Sequence, residues 1–419
     1  MLDSKTVQRG DWLVEFQNQF RRTSKSMARS LQVILTTTFV FGLFGLVESR
    51  AEGPNSGQIA LTSPLDYQVF QRQSREAGEI LIEGSASAHL NGNADSSLQL
   101  QFRFAGRSVD HDTNTEWQPL AYDARVPRFL CSVPAPAGGW YRLEVRAVAD
   151  AKPFATNLVE HVGIGEIFVV AGQSNSANHG ETRQQPKSGL VVAFDGSTWA
   201  IANDPQPGAS GASGSFIPSL GDALAGSLKL PIGFICTGAG GTSVREWLPK
   251  GSPVSAPPTT GQNVATTGPH AWISTGGLYR RLVERIRVLG PNGFRAVLWH
   301  QGESDNHQPT GRNITPAEYQ THLRQLIESF RRDAGWQAPW FIAQASYHIP
   351  TDPGLPELRN AQKALTLNGF ANPGPNTDEL GPDFREDNGR GVHFNSRGLQ
   401  QHGVLWSEKI IPWLEQVVK

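Results

Sequence analysis

Cysteine is scarce in this chain: Cys131 and Cys236 are the two it has among 419 residues, and they lie far apart. A disulfide-rich scaffold is therefore excluded, as is a Cys-x-x-Cys metal site, and both thiols read as buried small hydrophobes. No charge of one sign dominates, since 37 Lys and Arg against 38 Asp and Glu leave a net charge of −1. That balance rules out a global basic field for nucleic acid and a polyacidic tail alike. Charged residues make up 18% of the chain, below the roughly 25% of a typical soluble domain. Internal repeats are missing. So are the Gly-x-Ser-x-Gly elbow of a standard α/β-hydrolase, a Gly-x-Gly-x-x-Gly turn after a strand, a P-loop and His-Glu-x-x-His. Nucleotide and zinc chemistry accordingly lack support, and no cofactor is expected.

Glycine and proline are plentiful, at 44 and 28 residues, so loops and turns take a large share of the chain. Eleven Trp stand beside six Tyr. Flat apolar rings suit a sugar-binding cleft, although core packing is the commoner fate of tryptophan.

An apolar run from Leu31 to Val47 follows Arg21, Arg22, Lys25 and Arg29, with Ser49 and Ala51 beyond it. A basic stretch, a short apolar stretch and small residues make the layout of a secretory signal. The signal is placed at about 27–51, with Met27 as a start and residues 1–26 as an upstream extension. A signal-anchor helix is the rival reading, disfavoured because the run is short and carries one Gln and three Thr. Export to a secreted or periplasmic location is expected, with no stable membrane association after cleavage.

From 57 to 160 apolar and polar residues alternate. The segments 78–87, 97–106, 128–136 and 139–149 have period two and are separated by turn clusters, which predicts a β-sandwich or jelly roll. After Val162 the pattern becomes strand–helix alternation. Strands are expected at 166–171, 230–237, 294–300 and 339–346. Helices are expected at 214–228, 276–290, 315–335, 356–368 and 396–418. This is an α/β domain over 161–419 with a parallel sheet covered on both faces. Two stretches rich in Pro, Gly, Ser and Thr, 202–214 and 249–275, read as loops.

Ligands of an open parallel sheet bind beyond the carboxyl ends of its strands. Four strand ends carry unusual residues. Ser174 sits in Gly172-Gln173-Ser174-Asn175, placed either as a nucleophile facing backbone amides or as a helix cap. Gly240-Gly241-Thr242 allows close backbone approach, with a tight turn as the plainer reading. Trp299-His300-Gln301-Gly302-Glu303 offers a side-chain amide donor in Gln301. His393, in a Gly-rich loop before the last helix, is placed to act as a general base. Each signal is weak singly. Together they would converge a nucleophile, oxyanion donors and a base on one point.

These blocks resemble the sialate O-acetylesterase group of the SGNH (GDSL-like) hydrolases, which overlaps carbohydrate esterase family 6. GQSN, GGTSVREW, WHQGESD and the late VHF carry the resemblance over about 160–419, in the right order. It implies a flavodoxin-like hydrolase domain, an acetylated carbohydrate as substrate, an acyl-enzyme route and no metal. Ser174 is implied as nucleophile and His393 as base. The Ser174 amide, the Gly241 amide and the Gln301 side chain are implied as the oxyanion hole. The group's acid stands three residues before the histidine, where this chain has Arg390. Asp387 is favoured in its place, with Glu303 as alternative acid or substrate contact, or a dyad held by a backbone carbonyl. Arg245, Trp247 and the 249–275 loop are placed on the sugar-facing rim, where sialic acid or an acetylated polysaccharide such as xylan would bind. A carbohydrate-binding protein with a decayed hydrolase domain is the rival from another class.

Overall fold

The computed structural model describes residues 55–90, 93–94, 98–105, 114–123 and 128–419; the signal-like segment at 27–51 lies outside them. Residues 52–419 cluster as one compact unit.

Nine strands come first: β1 (Asn55–Ser63), β2 (Gln68–Gln71), β3 (Ala77–Leu90), β4 (Asn93–Ala94), β5 (Gln99–Ala105), β6 (Gln118–Leu120), β7 (Arg128–Pro136), β8 (Gly138–Ala149) and β9 (Lys152–Gly172). β1, β3, β4 and β7 form one antiparallel sheet, while β5, β6 and β8 lead onto β9 in another. Their alternating apolar residues point inward to a shared core that includes Ile80, Ile82, Phe102, Leu143 and Val145. The period-two reading of these segments follows from that one-sided burial.

β9 is the long element of the molecule. Its first half pairs with β8 and β2, and from Glu166 onward the same strand pairs in parallel with β12 (Ile232–Cys236) and β16 (Ala296–His300). The small edge strands β10 (Val191–Phe194) and β11 (Trp199–Ile201) flank β12. On the other side β17 (Trp340–Gln344) and β18 (Asn372–Asn376) extend the sheet. The spatial order is β11-β10-β12-β9-β16-β17-β18, parallel except for β11.

Both faces of this sheet are covered, as the unbroken apolar runs require. Ile167, Val169 and Ala171 of β9 face a core closed by α2 (Gly277–Arg287), α3 (Pro316–Ala334) and α4 (Pro356–Ala364). Phe168 and Val170, alternating with them, face α1 (Ile217–Leu228) and α5 (Ser396–Val417). The five expected helices are present, while β10, β11 and β18 were not foreseen. The 249–275 segment is not structureless, because β13 (Pro253–Val254), β14 (Val264–Gly268) and β15 (Ala271–Ser274) build a small antiparallel sheet within it. Among the described residues no helix is long and apolar enough to cross a membrane.

Where β9 changes partners, Glu166 is fully buried. It accepts from Arg72 at 2.6 Å and Arg295 at 2.7 Å, which ties the first strands to the start of β16. A buried carboxylate needs such partners to offset its desolvation.

Candidate active site

The ends of β9, β12 and β16 and the loop before α5 open onto one cleft of about 1110 Å³, lined in part by Ser174, Gly241, Glu303 and His393. β9 reaches it through Gly172, whose φ is +129°. A Cβ there would lie 2.0 Å from the His300 carbonyl oxygen, so only glycine lets β9 and β16 end side by side. Two residues later the chain enters a single 3-10 turn, Ser174–Ser176, which places the serine at the cleft with 5% of its surface exposed. The turn is pinned from both sides. Gln173 N–H donates to the His300 carbonyl, and Gln173 Oε1 accepts from the Ser304 amide at 2.9 Å.

His393 comes from a short hairpin. Arg385 and Phe394 pair as an antiparallel bridge, Glu386 N–H donates to the His393 carbonyl and Asn395 N–H donates to the Phe384 carbonyl. Glu386 therefore stands directly across from His393, its Oε1 2.7 Å from Nδ1 and also accepting from the His393 amide at 3.1 Å. Asp387 is not brought to His393. It sits one residue along, in left-handed backbone at φ 52°, and its carboxylate turns outward to Arg390 at 2.7 Å. The left-handed turn that starts at Asp387 carries its side chain away from the hairpin, so the single-residue step decides which acid meets the imidazole.

Two side chains that the sequence reading passed over hold this hairpin. Asn395 caps α5 by accepting from the Gly398 amide, and its Nδ2 donates to the carbonyls of Asp383 and Arg385. Arg385 is buried between the rings of Tyr347 and Phe394 and donates to the Val392 carbonyl at 2.7 Å. Asn175 Nδ2 reaches the same Val392 carbonyl at 3.3 Å and Glu303 Oε1 at 2.9 Å, which bridges the serine turn to both the histidine loop and the end of β16.

Glu303 lines the cleft but is not the partner of His393. Burial pushes its carboxyl up, against the lowering hydrogen bond from Asn175, and its Oε2 has no partner among the described residues. A raised carboxyl of this kind can donate a proton to a ligand oxygen.

Gln301 is a second departure. It is completely buried, and its Nε2 donates to Asp305 Oδ2 at 2.8 Å and to the Thr242 carbonyl at 3.1 Å. With both N–H groups taken, the side chain braces the Thr242 turn instead of facing the cleft. Gly241, at φ +70°, does line it.

The expected rim residues also move. Arg245 is fully buried and donates to the carbonyls of Ala256 and Arg312, and Trp247 packs edge-on against Trp299. They support the cleft floor. The rim of the 249–275 segment comes from Thr259, Gln262 and Asn263.

His179 was not singled out by its sequence. Its ring stacks on His393 with centroids 5.4 Å apart, and its Nε2 lies 3.0 Å from Ser210 Oγ, which accepts from the Gly240 amide at 2.7 Å. Burial first, then the neighbouring His393, pushes the His179 imidazole down, so it is neutral near pH 7.

A parallel α/β sheet whose central strand delivers a shielded serine to a cleft shared with a carboxylate-paired histidine is an arrangement that serine-type ester hydrolases use. The family of the chain is found by comparison. The family model for "Carbohydrate esterase, sialic acid-specific acetylesterase" matches residues 164–411, and the chain belongs to that family. It is a carboxylic ester hydrolase that removes O-acetyl groups from carbohydrate.

Among solved structures it is similar to a carbohydrate acetylesterase from Xanthomonas citri, with 18% identity, 86% of this chain and 75% of that one covered, and a TM-score of 0.49. A protein from Arabidopsis thaliana shares 21% identity over 59% of this chain and 98% of its own, at a TM-score of 0.41. NanS shares 17% over 60% and 98%, at 0.39. Among curated proteins none matches.

Proposed function

We propose that Ser174, His393 and Glu386 carry the deacetylation, with the Ser174 and Gly241 amides as the oxyanion hole. The observation that carries this is the 2.7 Å contact between Glu386 Oε1 and His393 Nδ1 in a cleft that Ser174 lines. A carboxylate on Nδ1 keeps the proton there and leaves Nε2 free as the base. Ser174 Oγ attacks the acetyl carbonyl carbon while its proton passes to His393 Nε2. Collapse of the tetrahedral intermediate breaks the ester bond, and His393 returns the proton to the departing sugar oxygen. Water then attacks acetyl-Ser174, with His393 again taking and returning one proton, to release acetate.

The oxyanion donors are backbone N–H groups. Neither the Ser174 nor the Gly241 amide meets an acceptor among the described residues, so both are available to a developing negative charge. The cleft, at about 1110 Å³, is far larger than an acetyl group needs. Specificity accordingly lies with the sugar and with Thr259, Gln262 and Asn263 on the rim, whose neutral amides and hydroxyl suit sugar hydroxyls. Sialic acid and acetylated polysaccharide both fall within this reading. Residues 57–160 are read as a β-sandwich domain preceding a hydrolase domain at 161–419, and residues 27–51 as the signal of an exported enzyme.

The test is acetate release from an aryl acetate by the wild-type chain beside Ser174→Ala. Loss of turnover in the variant, with an unchanged unfolding midpoint, is the expected result. Full turnover in Ser174→Ala would overturn the assignment of the nucleophile.

A further inference from the structure

A second set of ligating side chains stands on the same cleft, apart from the Ser174–His393 pair. His307 follows the one-turn helix Glu303–Asn306, and His348 and Asp352 come from the loop after β17. His307 Nδ1 lies 2.9 Å and His348 Nδ1 3.8 Å from one and the same oxygen, Asp352 Oδ2. The two imidazoles are stacked with centroids 3.8 Å apart and 19° between their planes, and both line the cleft.

The backbone holds this set in place. The His348 and Ile349 amides both donate to the Asp352 carbonyl, and the Asp352 amide donates back to the Ile349 carbonyl, which closes a tight turn. Asn306 Nδ2 donates to the Ser346 carbonyl at 3.0 Å and ties the His307 segment to it. His348 Nδ1 is shut off from solvent and has no hydrogen-bond partner among the described residues. An orphaned ring nitrogen facing a carboxylate that a second imidazole already shares is costly until something completes it.

A divalent cation completes it. Nitrogen and oxygen ligands lie about 2.0–2.2 Å from zinc, so neighbouring donors of a tetrahedral site stand about 3.3 Å apart. The 2.9 and 3.8 Å separations bracket that spacing and the three ligand atoms lie within 4.8 Å of one another, so an ion is reached once the stacked rings turn their nitrogens toward it. We propose that His307, His348 and Asp352 hold a divalent transition-metal ion of the zinc class at the mouth of the cleft, and that its open position takes an oxygen of the carbohydrate. Two imidazoles and a carboxylate suit zinc better than magnesium or calcium, which favour oxygen-only sets. The ion holds substrate and takes no part in the acyl transfer, which Ser174 and His393 perform. The substrate half of the proposal rests on the esterase reading of the cleft; the metal half does not.

The experiment strips the full-length protein with chelator and titrates it with Zn²⁺ by calorimetry and with Co²⁺ by its visible absorption. One equivalent is expected to bind, and the His307→Ala/His348→Ala double variant is expected to lose it. Asp352→Asn, which keeps the side-chain shape, is expected to weaken binding, and metal-free unfolding midpoints control for folding. No binding by the wild type, or equal binding by the double variant, would overturn the site. KM is then compared for metal-free and zinc-loaded wild type. A several-fold lower KM for an acetylated sugar on loading, with the aryl acetate unmoved, is expected. Equal sugar KM values would overturn the substrate-holding role. Failure of the esterase reading would instead leave both substrates unturned while the zinc titration still bound.

Discussion

Glu386 and His393 face each other across a two-rung antiparallel hairpin, with the carboxylate 2.7 Å from Nδ1 and the same oxygen accepting from the histidine's own amide. The pairing is thus fixed by backbone as well as by side chain. Because the acid sits on the opposite arm of the hairpin, it lies seven positions before the histidine instead of three.

Glu386→Gln should therefore lower kcat by about 10³–10⁴-fold, as when a triad carboxylate becomes an amide that favours the wrong imidazole tautomer. Asp387→Asn should leave kcat essentially unchanged, since Asp387 pairs with Arg390 on the surface. Aryl acetate kinetics on the two variants read both outcomes. The reverse ranking would return the role to Asp387.

Gln301→Ala tests the reassignment of Gln301 from oxyanion donor to brace. The variant leaves Asp305 Oδ2 and the Thr242 carbonyl short of a donor, a loss of about 1–3 kcal/mol in urea unfolding. Its kcat should fall by less than the about 10²–10³-fold that follows removal of an oxyanion donor. A stable variant with a thousandfold slower turnover would restore Gln301 to the oxyanion hole.

Arg245→Ala should cost about 3–5 kcal/mol, because it leaves the buried Asp305 without its cation and orphans the carbonyls that Arg245 reaches. Thermal unfolding would show the loss. A stable variant with altered sugar preference would place Arg245 on the rim after all.

Stability should fall with acid from about pH 6.5, where an unfolded histidine titrates. Burial pushes His300 down to about 3, and burial likewise pushes His402 down. Both then stay neutral in the folded chain while the unfolded chain takes up protons. Their stabilisation is complete above about pH 6.5 and is lost downward from there, each at about 1.4 kcal/mol per pH unit. Urea unfolding at about pH 7 and about pH 5, with His300→Gln as a flatter comparison, measures this. Equal slopes in wild type and variant would show that His300 is protonated in the native state.

The layers were legible because burial dictates pattern. Ile167, Val169 and Ala171 on one face and Phe168 and Val170 on the other leave no polar position, and a run like that reads as a covered parallel strand. Ser174 and His393, the proposed nucleophile and base, drew notice for a related reason, one following a strand end and the other preceding a helix start. The Glu386–His393 contact was not legible, because spacing along the chain does not register a hairpin. Reading Phe384-Arg385-Glu386 and His393-Phe394-Asn395 as two extended arms around Asn388-Gly389-Arg390-Gly391 would have put Glu386 opposite the imidazole. Arg245 and Trp247 were placed on the rim by position along the chain alone, which does not register that buried carbonyls and Asp305 satisfy Arg245 and that Trp247 packs on Trp299. Gln301 carried a local signal as an amide donor, but not for its acceptors, Asp305 Oδ2 and the Thr242 carbonyl, and His179 carried none, since its contact is with Ser210 from elsewhere in the chain.

β9 joins the two sets of strands that it pairs with as one continuous strand. The same 21 residues pair with β8 and β2 at one end and form the spine of the parallel sheet at the other, and from Val162 onward every one of them is buried. A clamshell motion between the two halves would have to break that spine within its buried stretch. Ser174, two residues past the end of that strand, is thereby coupled end-on to strands more than a dozen residues upstream.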